Sequence, residues 1–148
     1  MYQHPQLSHH DAMKIIDTLR QQLEAKGQGA TVAVVDAHGE LMALMRTDGS
    51  SLPAINNAIH KAFTAAREGI ESGELGARAR AEGWSLTNFG DIRYTGWGGG
   101  VPIQVAGVTV GAVGVSGLPE AQDVELARQG AALVAQRIRI RRAPLRRA

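Results

Sequence analysis

The chain has 148 residues, of which 44% are hydrophobic and 20% charged, and this balance is typical of one globular domain with its own core. It has no cysteine, which excludes disulfides, thiolate metal sites and cysteine nucleophiles. The N-terminus has no secretory signal pattern, and no apolar run approaches the roughly 20 residues that span a bilayer. We therefore expect residues 1–148 to form a single cytoplasmic domain without membrane contact.

The net charge of +2 is concentrated at the C-terminus, where six arginines occupy residues 137–148. Such a tail could serve as an arm for nucleic acid, but no aromatic residue lies among these arginines to stack on bases. Arginines also suit the negative end of a helix dipole. We therefore expect a solvated helix end and no nucleic-acid partner.

The first predicted helix begins at Ser8, which can cap it together with Asp11, and ends at Gly27. Its apolar residues recur at helical spacing: Ala12, Ile15, Ile16, Leu19 and Leu23. Two predicted strands, 30–36 and 40–46, then form a hairpin around a turn at 37–39.

A second helix is predicted to start near Pro53, since proline suits the first helical position. Its expected buried residues are Ile55, Ala58, Ile59, Ala62, Phe63 and Ala66. Lys61 and Thr64 are expected to lie off or beside this buried face. From residue 67 to 94 the pattern is weak, and we expect a short helix over about 74–81 within a mobile excursion that resembles a lid.

A second hairpin is predicted from strands 101–105 and 108–116, and Pro119 then opens the last helix. The expected buried residues of that helix are Val124, Ala127, Ala131, Val134 and Ile138. Two hairpins separated by helices favour an α+β fold, with a central antiparallel sheet flanked by N-terminal, middle and C-terminal helices.

The glycine-rich stretch TGWGGGVPI (95–103) does not fit a nucleotide-binding loop. No Lys-Ser or Lys-Thr pair occurs in the sequence, and the glycines lead into a strand rather than a helix. Ser116 likewise misses the spacing of a nucleophile elbow. Bare backbone at this point therefore indicates the close approach of a ligand or a neighbouring subunit.

The best acid–base pair in the sequence is His60-Lys61 on the second helix. Charged residues at the ends of elements are often assembled into sites, which adds Asp36, Arg46 and Asp123 as candidate catalytic residues. The five histidines of the chain show no zinc-protease spacing.

His9 and His10 begin the first helix and are either exposed first-turn residues or ligands of a metal or haem iron. Four of the six aromatic residues lie within positions 84–97, which indicates a pocket wall or an interface. The candidate ligand-binding residues are Phe89, Tyr94, Trp97, Gly98, Gly99 and Gly100.

Two segments, VAVVDAHGELMALMRTDGSSLPAINNAIHKAFTAA and GGGVPIQVAGVTVGAVGVSGLPEAQD, resemble the GlcG/HbpS-like proteins, which also form the C-terminal domain of PduO-type proteins. The resemblance covers about residues 8–136. It implies a haem-binding domain in a catabolic context that assembles into dimers or higher oligomers such as octamers. It also implies an iron ligand near the N-terminal helix, where His9 and His10 lie.

Three functions remain open from the sequence. The first, favoured narrowly, is an oligomer that binds haem or another small molecule through His9 or His10. The second is a metal-free isomerase, lyase or hydrolase acting on a small organic acid or ketone, with Lys61, Arg46 or the N–H groups of Gly99 and Gly100 holding an oxyanion. The third is a pure assembly module that buries its tryptophans between subunits.

Overall fold

Four strands and four α-helices account for most of the chain in the computed structural model, which describes the backbone of residues 1–141 and the side chains of residues 1–135. The elements in chain order are α1 (His9–Ala25), β1 (Thr31–Asp36), β2 (Leu41–Arg46), α2 (Pro53–Glu68), α3 (Ser72–Glu82), a 3₁₀ turn (Leu86–Phe89), β3 (Gly100–Val105), β4 (Val108–Ser116) and α4 (Glu120–Arg141). The predicted basic tail and the expected burial of Ile138 lie outside the described side chains.

The strands form one antiparallel sheet in the order β2-β1-β4-β3. Each predicted hairpin supplies an edge strand and a central strand, so the predicted α+β architecture is confirmed. Helix α2 packs on one face of the sheet, and α1 and α4 pack on the other. Among the described residues, no helix is long and apolar enough to span a bilayer.

The two faces of the sheet carry side chains of different size. Branched residues point toward α1 and α4: Val32, Val34, Val113 and Val115. The face below α2 carries small residues instead, among them Ala33, Ala112 and Gly114. A side chain at Gly114 would collide with the carbonyl oxygen of Ala58 in α2. Helix α2 therefore lies against nearly bare backbone, close to the central strands.

The starts of α1 and α2 match the sequence prediction. The Ser8 hydroxyl accepts the backbone N–H of Asp11 at 3.1 Å and donates to its carboxylate at 2.9 Å. Pro53 is the first residue of α2. Each start depends on chemistry within one turn of chain, which makes it visible in sequence alone.

The prediction that Lys61 and Thr64 lie off or beside the buried face of α2 is wrong. Lys61 is 3% exposed and Thr64 is fully buried. Thr64 accepts the backbone N–H of Thr95 at 3.0 Å, so the segment before β3 covers this side of the helix. In α4 the expected core residue Val124 is only partly buried, whereas Leu126 belongs to the core.

The segment between α2 and β3 is more regular than its sequence suggests. Helix α3 begins at Ser72, earlier than expected, and the 3₁₀ turn follows it. The backbones of Gly76 and Gly96 lie in direct contact, since a Cβ on Gly96 would lie 2.8 Å from the Cα of Gly76. This contact holds α3 against the residues that lead to β3. Its mobility stays a prediction.

Replacement of Gly100 by alanine should lower the free energy of unfolding by about 2 kcal/mol, because the new methyl group would collide with the carbonyl oxygen of Lys61. The reverse exchange, Ala106→Gly, is the matched control. Ala106 has a left-handed backbone with φ of 51°, which glycine adopts without strain. We expect this control to be neutral or stabilising in urea unfolding. Equal stability of the two variants would contradict the proposed contact at Gly100.

Candidate functional site

A buried ion pair joins the helices on opposite faces of the sheet. The Lys61 Nζ on α2 lies 3.2 Å from Oδ2 of Asp123 on α4, and the two side chains are each 4% exposed. Lys61 also donates to the carbonyl oxygen of Val115 at 3.0 Å. The other Asp123 oxygen accepts the backbone N–H of Leu118 at 3.0 Å. The pair is therefore fixed to the end of β4 and to the start of α4.

The glycine-rich segment makes room for this pair. Gly99 has a φ of 123°, and a Cβ built there would lie 3.1 Å from Lys61 Cδ and 3.1 Å from Asp123 Cβ. At Gly100 the backbone meets the backbone of Lys61. The absence of side chains at these two positions therefore allows α2 and α4 of the same chain to pack closely against the backbone. The sequence analysis had considered only a ligand or a neighbouring subunit. Binding of a ligand by Gly98, Gly99 and Gly100 stays a prediction.

The electrostatics of the pair are set first by burial. Removal from water raises the pKa of the Asp123 carboxyl, and the adjacent Lys61 ammonium offsets part of that rise. A second carboxylate, Glu120, lies nearby and accepts the backbone N–H of Gly98 at 2.6 Å. One positive and two negative groups therefore meet at the start of α4.

A cavity of about 220 Å³ opens above the pair. Its polar lining side chains are Asn57, Lys61, Ser116, Glu120 and Asp123, and Trp97 forms an apolar wall. An ammonium group has three N–H donors, and within the described residues Lys61 engages two of them. The third N–H can bind a ligand oxygen. The excess of carboxylates disfavours an anionic ligand here.

The other three predicted catalytic residues lie apart from this cavity. Asp36 closes the β1–β2 turn, where it accepts the backbone N–H groups of His38 at 2.8 Å and Glu40 at 3.1 Å. Arg46 lines a different cavity at the end of β2. Burial, followed by the charge of Arg93, lowers the pKa of His60. The structure brings together Lys61 and Asp123 only.

The predicted oxyanion donors are partly engaged. The N–H of Gly100 donates to the Ser72 hydroxyl at 2.9 Å, and Ser72 in turn donates to the carbonyl of Trp97 at 2.6 Å. Sequence reasoning did not select Asn57, Ser116 or Glu120 as part of such a cavity. For Glu120 a signal existed, since it precedes Asp123 by three positions at a helix start and therefore shares its helix face.

The predicted aromatic segment forms a second feature beside this cavity. The rings of Phe89 and Tyr94 stack at 4.0 Å with an interplanar angle of 2°, and Tyr94 meets Phe63 edge-on at 5.5 Å. Burial and the Glu68 carboxylate, which accepts the Tyr94 hydroxyl at 3.0 Å, raise the pKa of Tyr94 to about 12. Trp97, in contrast, is 61% exposed.

The two N-terminal histidines lie together at the exposed start of α1. The ring centroids of His9 and His10 are 4.1 Å apart. Within the described part of the chain, no group of three histidine, aspartate or glutamate residues could hold a metal ion. Neither histidine lines the cavity at Lys61 or those beside Arg46 and Trp97.

The domain is of the α+β class. Its four-stranded antiparallel sheet lies between α2 on one face and α1 and α4 on the other, and a buried ion pair joins α2 to α4. The sequence profile of the family described as "Haem degrading protein HbpS-like" matches residues 7–132. The chain belongs to this family, which confirms the resemblance found in the sequence. An uncharacterized 15.0 kDa protein from the dhaT-dhaS intergenic region of Citrobacter freundii is 31% identical over 115 residues, which cover 74% of this chain and 81% of that protein.

Two solved structures show the same fold. A double mutant of HbpS from Streptomyces reticuli is 30% identical, with a TM-score of 0.81 and coverage of 90% of each chain. PduOC in complex with haem is 25% identical, with a TM-score of 0.77 and coverage of 86% of this chain and 94% of its own. One structural relative of this chain was therefore crystallised with haem.

The variant Lys61→Met should lower the free energy of unfolding by about 3–5 kcal/mol at neutral pH, because it leaves the Asp123 carboxylate buried without its cation. Because the pKa of Asp123 is raised, the folded state binds this proton more tightly than the unfolded state does. The contribution of Asp123 to the free energy of unfolding therefore declines as pH rises through that pKa. Removal of the Lys61 charge raises the pKa further, so the deficit should shrink in acid.

Urea unfolding of both proteins at acidic and neutral pH measures this difference. Lys14→Met, at an exposed position on α1, is the matched control and should change little at either pH. Adding Asp123→Asn to Lys61→Met should recover stability at neutral pH, since the amide oxygen can still accept the Leu118 N–H. A pH-independent deficit would contradict an ionised Asp123.

Proposed function

We propose that this protein binds haem as an oligomer, with His9 or His10 as the iron ligand. The observation that carries the proposal is the pair of exposed imidazoles at the start of a capped helix. Imidazole is a common axial ligand of haem iron, so the donor chemistry fits. Membership of the HbpS-like family and the haem complex of PduOC support it.

The surroundings of the histidines favour a site completed by a second copy. The backbone N–H of Leu7 donates to Val110 on β4 at 2.9 Å, which fixes the chain just before the helix. Met13, which is 48% exposed, lies three and four positions after the histidines and therefore on their helix face. This open face offers an apolar contact for a macrocycle. A second protomer would have to cover its other side.

Titration of haemin into the purified protein should give a saturable Soret shift that the double variant His9→Ala/His10→Ala loses. His38→Ala removes an exposed imidazole in the β1–β2 turn and serves as the matched control, with unchanged affinity. The single variants identify the ligand, whose removal should weaken binding by about tenfold or more. Size-exclusion chromatography with and without haemin tests the oligomer.

A Soret shift that survives the double variant would reject the histidine ligand. Absence of any saturable shift in the wild type would reject haem binding altogether. If the wild-type protein stays monomeric at all concentrations, with and without haemin, and still binds haemin, the proposal that a second copy completes the site is rejected.

A second candidate function is supported by the cavity above the ion pair. There the third N–H of Lys61 can bind a carbonyl oxygen, and the Glu120 carboxylate, which lines the same cavity, can accept a proton from the adjacent carbon. Because the carboxylates outnumber the cation, we propose a small neutral hydroxyketone rather than an organic acid as the ligand. Proton transfer of this kind fits an isomerase or a lyase.

Calorimetric titration with dihydroxyacetone and with glycolate separates the two ligand classes. We expect dihydroxyacetone to bind the wild type and glycolate to bind only after Glu120→Gln removes one negative charge. Glu125 is exposed on α4 and does not line this cavity, so Glu125→Gln is the control and should bind both ligands as the wild type does. Glycolate binding to the wild type would contradict the proposed charge selection.

A further inference from the structure

A groove beside the ion-pair cavity, with which it shares Trp97, lies between α3 and the segment that leads to β3. Its volume is about 360 Å³, and Trp84, Leu86, Tyr94 and Trp97 supply its apolar lining. Gly76 and Gly96, whose backbones are in contact, also line it. This volume lies at the lower end of the usual range of about 300–1,000 Å³ for pockets that bind drug-sized ligands, so the groove suits a ligand with one or two rings.

The aromatic walls are held in place by contacts within the chain. Tyr94 stacks on Phe89 and donates to Glu68. The indole N–H of Trp84 donates to Glu82 at 2.7 Å, and its ring meets Phe89 at 6.1 Å. These contacts engage the carboxylates of Glu68 and Glu82 with aromatic donors. Two of the walls are therefore ordered before any ligand arrives, which limits the entropic cost of binding.

Trp97 is the wall that internal packing leaves unexplained. Its side chain is the largest type in proteins, and 61% of the residue is exposed. Large exposed aromatic groups beside a cavity are typical of binding surfaces. The carbonyl of Trp97 is fixed by Ser72, so the backbone that presents the indole is itself held.

A cation lies at the rim of the same groove. Arg80 is exposed on the last turn of α3 and lines the groove. Other arginines near it have partners: Arg78 lies 3.7 Å from Glu74, and Arg93 lies 2.9 Å from Asp91. Within the part of the chain whose side chains are described, Arg80 makes no ion pair or hydrogen bond. Its guanidinium can therefore bind a carboxylate through two N–H groups.

We propose that this groove binds a small aromatic carboxylate. The ring packs against Trp84, Tyr94 and Trp97, and the carboxylate binds the Arg80 guanidinium. The site does not depend on the histidines of α1. It shares Trp97 with the cavity at the Lys61–Asp123 pair, whereas Arg80 lines this groove and not that cavity, so variants of Arg80 test it separately from the functions proposed above.

Intrinsic fluorescence tests the proposal directly, because the only two tryptophans of the chain, Trp84 and Trp97, both line the groove. The probes are phenylacetate, its uncharged counterpart phenylacetamide, and acetate, which lacks the ring. We expect saturable quenching by phenylacetate, binding of phenylacetamide weaker by about tenfold or more, and no response to acetate.

Variants on α3 assign the charge. Arg80→Gln should weaken phenylacetate binding by about tenfold and leave phenylacetamide binding unchanged. Arg78→Gln, two positions earlier on the same helix and outside the groove, is the matched control and should behave as wild type. Trp97→Phe should weaken the binding of both phenylacetate and phenylacetamide, as measured by calorimetry. His9→Ala/His10→Ala should bind phenylacetate normally.

Several results would overturn the proposal. They are equal affinity for phenylacetate and its amide, unchanged binding in Arg80→Gln, an equal loss in Arg78→Gln, or no saturable quenching in the wild type. A blue shift of tryptophan emission as protein concentration rises, together with dimer formation, would show that a second copy covers the groove and would also reject a ligand there.

Discussion

The buried Lys61–Asp123 pair is the constraint on which the arrangement of layers depends. Lys61 extends from the helix on one face of the sheet to the helix on the other, past the end of β4. It can do so only because Gly99 and Gly100 carry no side chain where α2 approaches. Two charges removed from water need such fixed partners, and the N–H of Leu118 and the carbonyl of Val115 supply them. The glycine-rich segment is thus first a packing device within the domain.

The elements of the fold could be predicted from sequence because their signals are local. Ser8 with Asp11 marks the start of one helix, Pro53 marks another, and β-branched runs broken by glycine mark the hairpins. The burial of Lys61 could not be predicted in this way, since its partner Asp123 lies 62 positions further along the chain. A lysine next to an apolar stripe has the pattern of a solvated flank, and only tertiary packing distinguishes the two cases.

The candidate sites illustrate the same limit. Asp36, Arg46 and Asp123 were grouped in the sequence as charged residues at the ends of elements. The structure brings only Asp123 to Lys61 and leaves Asp36 as a turn-forming residue. The aromatic cluster at 84–97 was visible as composition, whereas its division into fixed walls and an exposed Trp97 depends on contacts with α2 and α3. Membership of the HbpS-like family favours haem as the proposed ligand. The positions of the described side chains indicate where each of the proposed ligands would bind. Self-association, a cytoplasmic location and a catabolic setting stay predictions.

The direct contact between Gly76 and Gly96 has a consequence for how such a domain can diversify. It joins α3 to the residue just before Trp97. The enclosed stretch carries Trp84 and the Phe89–Tyr94 stack but contributes no strand to the sheet. Its length and side chains can therefore drift or be exchanged between relatives while both joined ends stay in register. New recognition could then evolve on an unchanged scaffold.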